Sequence, residues 1–444
     1  MVVATNITTE GIVGSVADIN AVIKAKADAK LVLDAAVAYS VTGTITAAQA
    51  NAIAVHGSAG ALTATVEADT AANLVAKLVA TDGTDKLNLA VNGTTAAAGD
   101  LVNLVGKTGG KIKLDATEVT GTFAQLEALY VTNKASFTAL GNENVTIITG
   151  PNPTAAELNT IAAATTGKVT ATLAPATTIE AATVALLKDV KATDVITFKT
   201  TDPDLVGKDD LNALLAIKKL IPNADFSAIN VINADAKDVA IVKNVLKDVA
   251  ANVAVTIDPA GQISAADANA IAKATTGVVT ATLKDGSVAA TLKALTNVDT
   301  NDVLTFKTTD KTVKATDLVA LNSKIANGTY TSIETITGDA KDTADIKDAL
   351  DNIVTANHPE VKISGIIDVS DIGTILTGTN KKVTAKIKAD TATKLAADLA
   401  DTEVNALDVT VNGLTAAATE LSTIKDSTSS KVKVDADEIT GTFA

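Results

Sequence analysis

The sequence has no cysteine and no tryptophan, a single methionine, and only six Phe and three Tyr in 444 residues. It also has no arginine, so all 37 basic residues are lysines. Without Cys there are no disulfide staples, zinc–thiolate sites or thiol nucleophiles, a composition that suits a protein crossing membranes unfolded and working outside the cell. With 51 acids against those 37 lysines the formal charge is −14, which argues against a nucleic-acid partner. Apolar runs are short and broken by Thr, Asp or Lys, and none approaches the ~20 residues of a membrane span, so no membrane insertion is expected. The first ten residues lack the charged start and apolar core of a secretory signal peptide. Aromatics make up 2% of a chain that is 47% hydrophobic, so the core must be Ala, Val, Leu, Ile and Thr methyls. Small, uniform side chains of that kind suit a stack of similar layers.

What the chain does have is repetition. TTGKVTATL at 165–173 returns as TTGVVTATL at 275–283. The unit reads as a helix end at Gly167 followed by a strand, with Val169, Ala171 and Leu173 facing one way and Thr170 and Thr172 the other. Candidate strands centre near Val32, Ala64, Asn88, Lys113, Ile147, Thr170, Ile196, Asn230, Val255, Thr280, Thr305, Glu334, Ile363, Ala385, Val409 and Lys433. Their usual step of roughly 25 residues is a repeat-protein period. Between them lie helical faces: Ile179, Ala182, Leu186, Leu187 and Val190 in 178–190, and Val239, Val242, Leu246 and Val249 in 235–249. Thr154/Glu157, Ser264/Asp267 and Thr46/Gln49 have capping-box spacing, and Gly167, Gly277 and Gly106 mark helix ends.

A longer order overlies this one. Residues 63–124 align with 384–444 at an offset of about 320 with one insertion, Asn92-Gly93 meeting Asn412-Gly413; this superperiod predicts growth by duplication of blocks of about a dozen turns. Wider steps at 31–62, 113–147 and 196–230 read as turns with inserted loops, most clearly 133–144 and 202–210. Residues 431–444 match 111–124 and then stop where the earlier copy runs on. The whole of 1–444 is therefore expected to be one continuous repeat array cut from a longer chain, with Met1 either native or added, and with its bare last layer associating end to end through the turn near Leu31 or by symmetric pairing.

The expected fold is α/β: a right-handed β/α solenoid of about 16 strand–helix turns of roughly 25 residues. A parallel sheet would form one side and helices the other, with leucine-rich-repeat-like curvature because strands stack more closely than helices. The open face of the sheet would carry Thr170, Thr172, Lys111, Lys113, Lys386, Lys388, Asn88, Asp408 and Thr410.

The stretch TAAELNTIAAATTGKVTAT at 154–172, with EVTGTFA at 118–124 and ITGTFA at 439–444, resembles the Thr/Ala/Asp-rich repeats of very large secreted surface proteins of aquatic Gram-negative bacteria, cyanobacteria included. The resemblance covers nearly the whole chain in composition and rhythm. It implies export, by a one-step route with a C-terminal signal, and a role in surface layers, extracellular fibres, adhesion or matrix. Neither that signal nor the calcium-binding glycine nonapeptides of such proteins occurs here.

Chemistry-bearing patterns are few. The two histidines, His56 and His358, lie about three hundred positions apart, and a repeat array gives them no reason to meet. Gly106-Lys107-Thr108 resembles the tail of a phosphate-binding loop but follows a helix instead of opening one. Paired acids at Asp202/Asp204, Asp209/Asp210, Asp299/Asp302 and Asp339/Asp342 read either as helix caps or as weak calcium ligands. No catalytic, cofactor or metal residue is singled out, and the chain is expected not to be an enzyme. The expected partners are other repeats or copies, end to end, in a secreted or cell-surface setting; the alternative is a surface polysaccharide on the open sheet face, although Tyr39, Tyr130 and Tyr330 are too sparse to make aromatic sugar platforms.

Overall fold

The computed structural model describes residues 6–7, 11–33, 37–56, 61–148, 150–353, 358–399 and 405–441. The Thr-Phe-Ala ending of the final motif, residues 442–444, and Met1 therefore lie outside the described residues. The chain is α/β, helices alternating with strands, and every pairing between described strands is parallel. It forms two compact units, 1–202 with 212–228 and 203–211 with 229–444.

In each unit the alternation expected along the strands holds. Val169, Ala171 and Leu173 are buried beside half-buried Thr170 and exposed Thr172, and Val279, Ala281 and Leu283 repeat the pattern. Aligned pairs such as Ala64 with Leu87, Val145 with Val169, Ala281 with Leu304 and Ala385 with Leu407 are 22 to 24 residues apart. Each inward residue thus lands on an equivalent one in the next layer, and the core is mainly aliphatic, with Tyr39, Tyr130, Phe198, Phe226 and Phe306 among its few buried rings. Two of the capping boxes form as expected, Glu157 accepting from the Thr154 N–H at 2.7 Å and Gln49 from the Thr46 N–H at 2.9 Å; at Ser264 the hydroxyl accepts from the Asp267 N–H at 3.0 Å and itself donates to the Asp267 carboxylate at 2.7 Å.

The expected single sheet is replaced by several separate parallel sheets: three of two, six and five strands in the first unit, and three of seven, six and two in the second. The cause is local. Some turns carry two short strands separated by a bend, as in Lys86–Val91 followed by Thr95–Ala97. The first belongs to one ladder and the second opens another, so pairing steps sideways. Second strands of this kind begin at Thr95, Asp204, Thr312 and Thr415, steps of 109, 108 and 103. The helix-starting caps Thr46, Thr154, Ser264 and Asp368 keep the same rhythm, 108, 110 and 104. The superperiod is thus about 107 residues, or four turns, and the offset of about 320 is its third multiple; duplication of blocks of a dozen turns is not needed.

The three wide steps are not loops. Residues 31–62 contain the strand Tyr39–Ile45 and the helix Ala47–His56. Residues 113–147 hold the helix Phe123–Glu127, a π turn Ala128–Thr132 and the strand Phe137–Thr138. Residues 196–230 hold the strand Asp204–Val206 and the helix Gly207–Leu220. The helix expected over 178–190 shrinks to Ala181–Ala185, leaving Leu186 exposed while Ile179, Leu187 and Val190 stay buried.

What ties one turn to the next is a buried polar residue just before the strand. Thr108, Thr165, Thr275, Thr379 and Thr428 are all at most 8% exposed. Each hydroxyl donates to a carbonyl 20 to 22 residues back, from Thr275 to Val253 at 2.5 Å, Thr165 to Glu143 at 2.7 Å and Thr108 to Leu87 at 2.9 Å, and accepts the N–H two residues on. Alternate turns use Asp85, Asp194, Asp302 and Asn405, which accept the first strand N–H of the preceding turn: Leu62 at 2.7 Å, Val169 and Val279 at 2.8 Å, Val383 at 2.9 Å. These bonds satisfy backbone groups that the helix-to-strand bend would otherwise leave buried and unpaired.

The glycines at these bends are not left-handed helix caps, as expected from the sequence. Gly106 has φ −72°, and neither Gly167 nor Gly277 has positive φ. A Cβ on Gly277 would sit 2.5 Å from the Asn252 carbonyl oxygen, and one on Gly167 2.5 Å from the Glu143 carbonyl carbon. At Gly167 and Gly277 glycine is required because successive backbones touch, whereas Gly106 simply caps the helix Ala98–Val105.

Candidate functional site

The outward sheet face is polar and ordered in rows. Thr120, Thr146 and Thr170 are aligned partners in the first unit, as are Asn233, Thr256 and Thr280, and Thr282 with Thr305, in the second. Asn88, Lys111, Lys113, Thr172, Lys386, Lys388 and Asp408 are exposed and Thr410 half-buried. Several lysines are held by acids: Lys113 by Asp115 at 2.8 Å, Lys388 by Asp368 at 3.0 Å and Lys433 by Asp435 at 2.7 Å.

The paired acids divide between helix starts, where Asp209 and Asp210 lie in the first turn of Gly207–Leu220 and Asp342 precedes Thr343–Asp351, and ties to other turns. Asp202 accepts from the N–H of Ile179 at 2.9 Å, 23 residues back. Asp302 accepts from Val279 and, at 3.1 Å, from Asp299. Asp210 accepts from Val206 at 3.0 Å, and Asp342, at the start of helix Thr343–Asp351, makes no side-chain cap bond. Asp202 and Asp302 are thus inter-turn ties. Among the described residues no group of three or more His, Asp or Glu side chains is arranged to hold a metal ion, so the calcium reading gains no site. Burial pushes the Asp302 carboxyl above its ordinary value; the Lys77 ammonium, with Asn73, pulls the exposed Asp69 down to about 2.

His56, itself exposed, ends the helix Ala47–His56 in the first unit, and His358 lies in the second. His358 borders an open depression of about 530 Å³ with Glu334, Glu360 and Lys381, and its buried Nδ1 has no hydrogen-bond partner among the described residues. Gly106-Lys107-Thr108 is a turn tie through Thr108. Tyr39 and Tyr130 are core residues, the Tyr130 hydroxyl donating to Glu143 at 2.5 Å. The buried Glu143 also takes the N–H groups of Gly141 and Asn142. Tyr330 is buried.

The feature that sequence reasoning missed is a second depression, of about 340 Å³, at the strand ends in the second unit. Lys314, Thr316, Thr337, Gly338, Asp339, Asp342 and Ser364 line it. A signal was present: Asp-Ala-Lys-Asp occurs at both 235–238 and 339–342, which marks equivalent turns for comparison. Among the described residues no helix is long and apolar enough to cross a membrane. No known family model and no curated protein matches the chain.

Proposed function

We propose that each unit winds as a right-handed β/α solenoid with its sheets on the inner side of a shallow curve, and that the chain is a non-enzymatic structural repeat region of a secreted or cell-surface protein, in a surface layer, extracellular fibre or adhesin. The observation that carries this reading is the recurrent tie. Side chains that an enzyme would turn toward a substrate, the buried Thr and Asp, here point inward and join one turn to the next, which is what a load-bearing stack requires. Right-handed crossovers are the strong default for parallel strands joined by helices. The resemblance to secreted repeat proteins and the lack of Cys agree with an extracellular setting. Its partners on this reading are further repeats of the same kind. Brief protease treatment of intact cells that make the protein should release its fragments; protection until lysis would sink the surface assignment, and left-handed crossovers in a density map would sink the winding.

The alternative is a polysaccharide-binding module. It is favoured by the exposed rows of Thr, Lys and Asn on the sheet and by the polar depression at Lys314. A glycan array probed with the labelled full chain separates the two readings.

A further inference from the structure

The two Asp-Ala-Lys-Asp turns have the same frame. Asn233 pairs with Val206 just before the first, and Thr337 pairs with Lys314 just before the second. In the first turn Asp235 is held by Lys237 at 2.6 Å, and Asp238 is 4% exposed, with one carboxylate oxygen buried and unpartnered; that turn is sealed. Two changes open the second. The next strand bulges between Lys362 and Ile366, with Gly365 at φ +85°, a conformation that glycine adopts freely. Lys314 replaces Val206. The result is the 340 Å³ depression, at the lower end of small-ligand sites.

Its chemistry is lopsided. The Thr337 hydroxyl donates to the Val313 carbonyl at 3.1 Å and the Ser364 hydroxyl to the Gly338 carbonyl at 3.2 Å, so both offer lone pairs to an occupant. Asp339 and Asp342 accept only, and the Asp342 carboxylate takes no hydrogen bond from the described residues. Lys314, likewise unpaired among them, supplies donors. One ammonium against two carboxylates disfavours phosphates and other anions, two carboxylates fall short of a metal cage, and the absence of an aromatic or apolar wall disfavours nucleobases and lipids. An occupant must be small, rich in hydroxyls and positively charged.

We infer that this depression binds a protonated amino sugar residue of a polysaccharide, its ammonium toward Asp339 and Asp342 and a ring hydroxyl toward Lys314. This deepens the polysaccharide reading and rests on it. The test is calorimetric titration of the full chain with three tetrasaccharides: glucosamine, N-acetylglucosamine and glucose. The glucosamine form should bind at least tenfold more tightly than the other two. Asp342→Asn, and Ser364→Trp, which fills the depression from an exposed position, should each remove at least that tenfold preference, while Asp238→Asn leaves it unchanged. A preference that survives both substitutions would report only general attraction to an acidic chain and overturn the site. Equal binding of charged and neutral tetrasaccharides would overturn the inference and leave the polysaccharide reading standing. No binding of any of them to the wild type would remove both.

Discussion

Thr275 and Asp302 stand before consecutive strands of the second unit, Val279–Leu283 and Val303–Lys307. Each is 7% exposed, and each ties its turn to the one before, yet they do so with opposite chemistry. The Thr275 hydroxyl donates to the Val253 carbonyl and accepts from Gly277, a neutral bond in both directions. The Asp302 carboxylate accepts from Val279 and Asp299 and brings a charge into a poorly solvated place, so burial raises its pKa. One joint in the stack is indifferent to pH and its neighbour is not.

The most damaging way to break the comparison is to remove what both joints depend on, the close approach of successive backbones. Gly277→Val should cost about 3–5 kcal/mol, because the atoms it meets are backbone and cannot move aside; hydrogen exchange should show loss of protection in the layers on either side. Next come the ties themselves. Asp302→Ala leaves the buried Val279 N–H and the part-buried Asp299 N–H without acceptors and should cost about 2–3 kcal/mol, against about 1–2 kcal/mol for Thr275→Val, where one N–H and a carbonyl are stranded. Denaturant melts of the two variants that gave the reverse order would contradict the assignment of roles.

Acid sharpens the contrast further. Because the folded pKa of Asp302 lies above its ordinary 3.8, its contribution is fully present below 3.8 and is lost as pH rises through the folded value. The stability gap between wild type and Asp302→Asn should therefore shift in favour of the wild type as pH falls from 6 toward 4, while the gap to Thr275→Val stays flat. Asp69 should behave in the opposite sense: held down to about 2, it contributes above 3.8 and loses that contribution as pH falls through 2. The smallest effect belongs to its partner. Lys77→Ala breaks a 2.7 Å pair on the surface and should cost about 0.2–1 kcal/mol, shrinking with added salt.

Much of this could be read from residues alone. The inward set Val169, Ala171 and Leu173 and the caps at Thr46, Thr154 and Ser264 follow from alternation and spacing. The period of about 107 was also in view, since those three caps are 108 and 110 apart, but the long alignment of 63–124 with 384–444 drew attention to its third multiple. The second strands were hidden because three residues, such as Thr95–Ala97, carry no period of their own, and the ladders they open exist only through partners 23 residues away. The glycines were misread because a turn glycine looks the same whether it serves φ or clearance. The depression at Lys314 was illegible for a related reason: it depends on a bulge in the neighbouring strand at Gly365, and nothing in the Asp-Ala-Lys-Asp turn itself announces that.

The sideways steps of the ladders have a mechanical consequence. In one unbroken sheet, a tear begun at an edge strand runs on, because every strand it frees exposes an identical neighbour. Here a tear within a ladder reaches a turn whose second strand is gripped by a different ladder, and must start again. The steps act as crack arresters placed once per block. A chain pulled by its ends should therefore lengthen in jumps of up to one block, about 107 residues or ~36 nm at ~3.4 Å per residue, and smooth unravelling without such jumps would show that the steps do not hold.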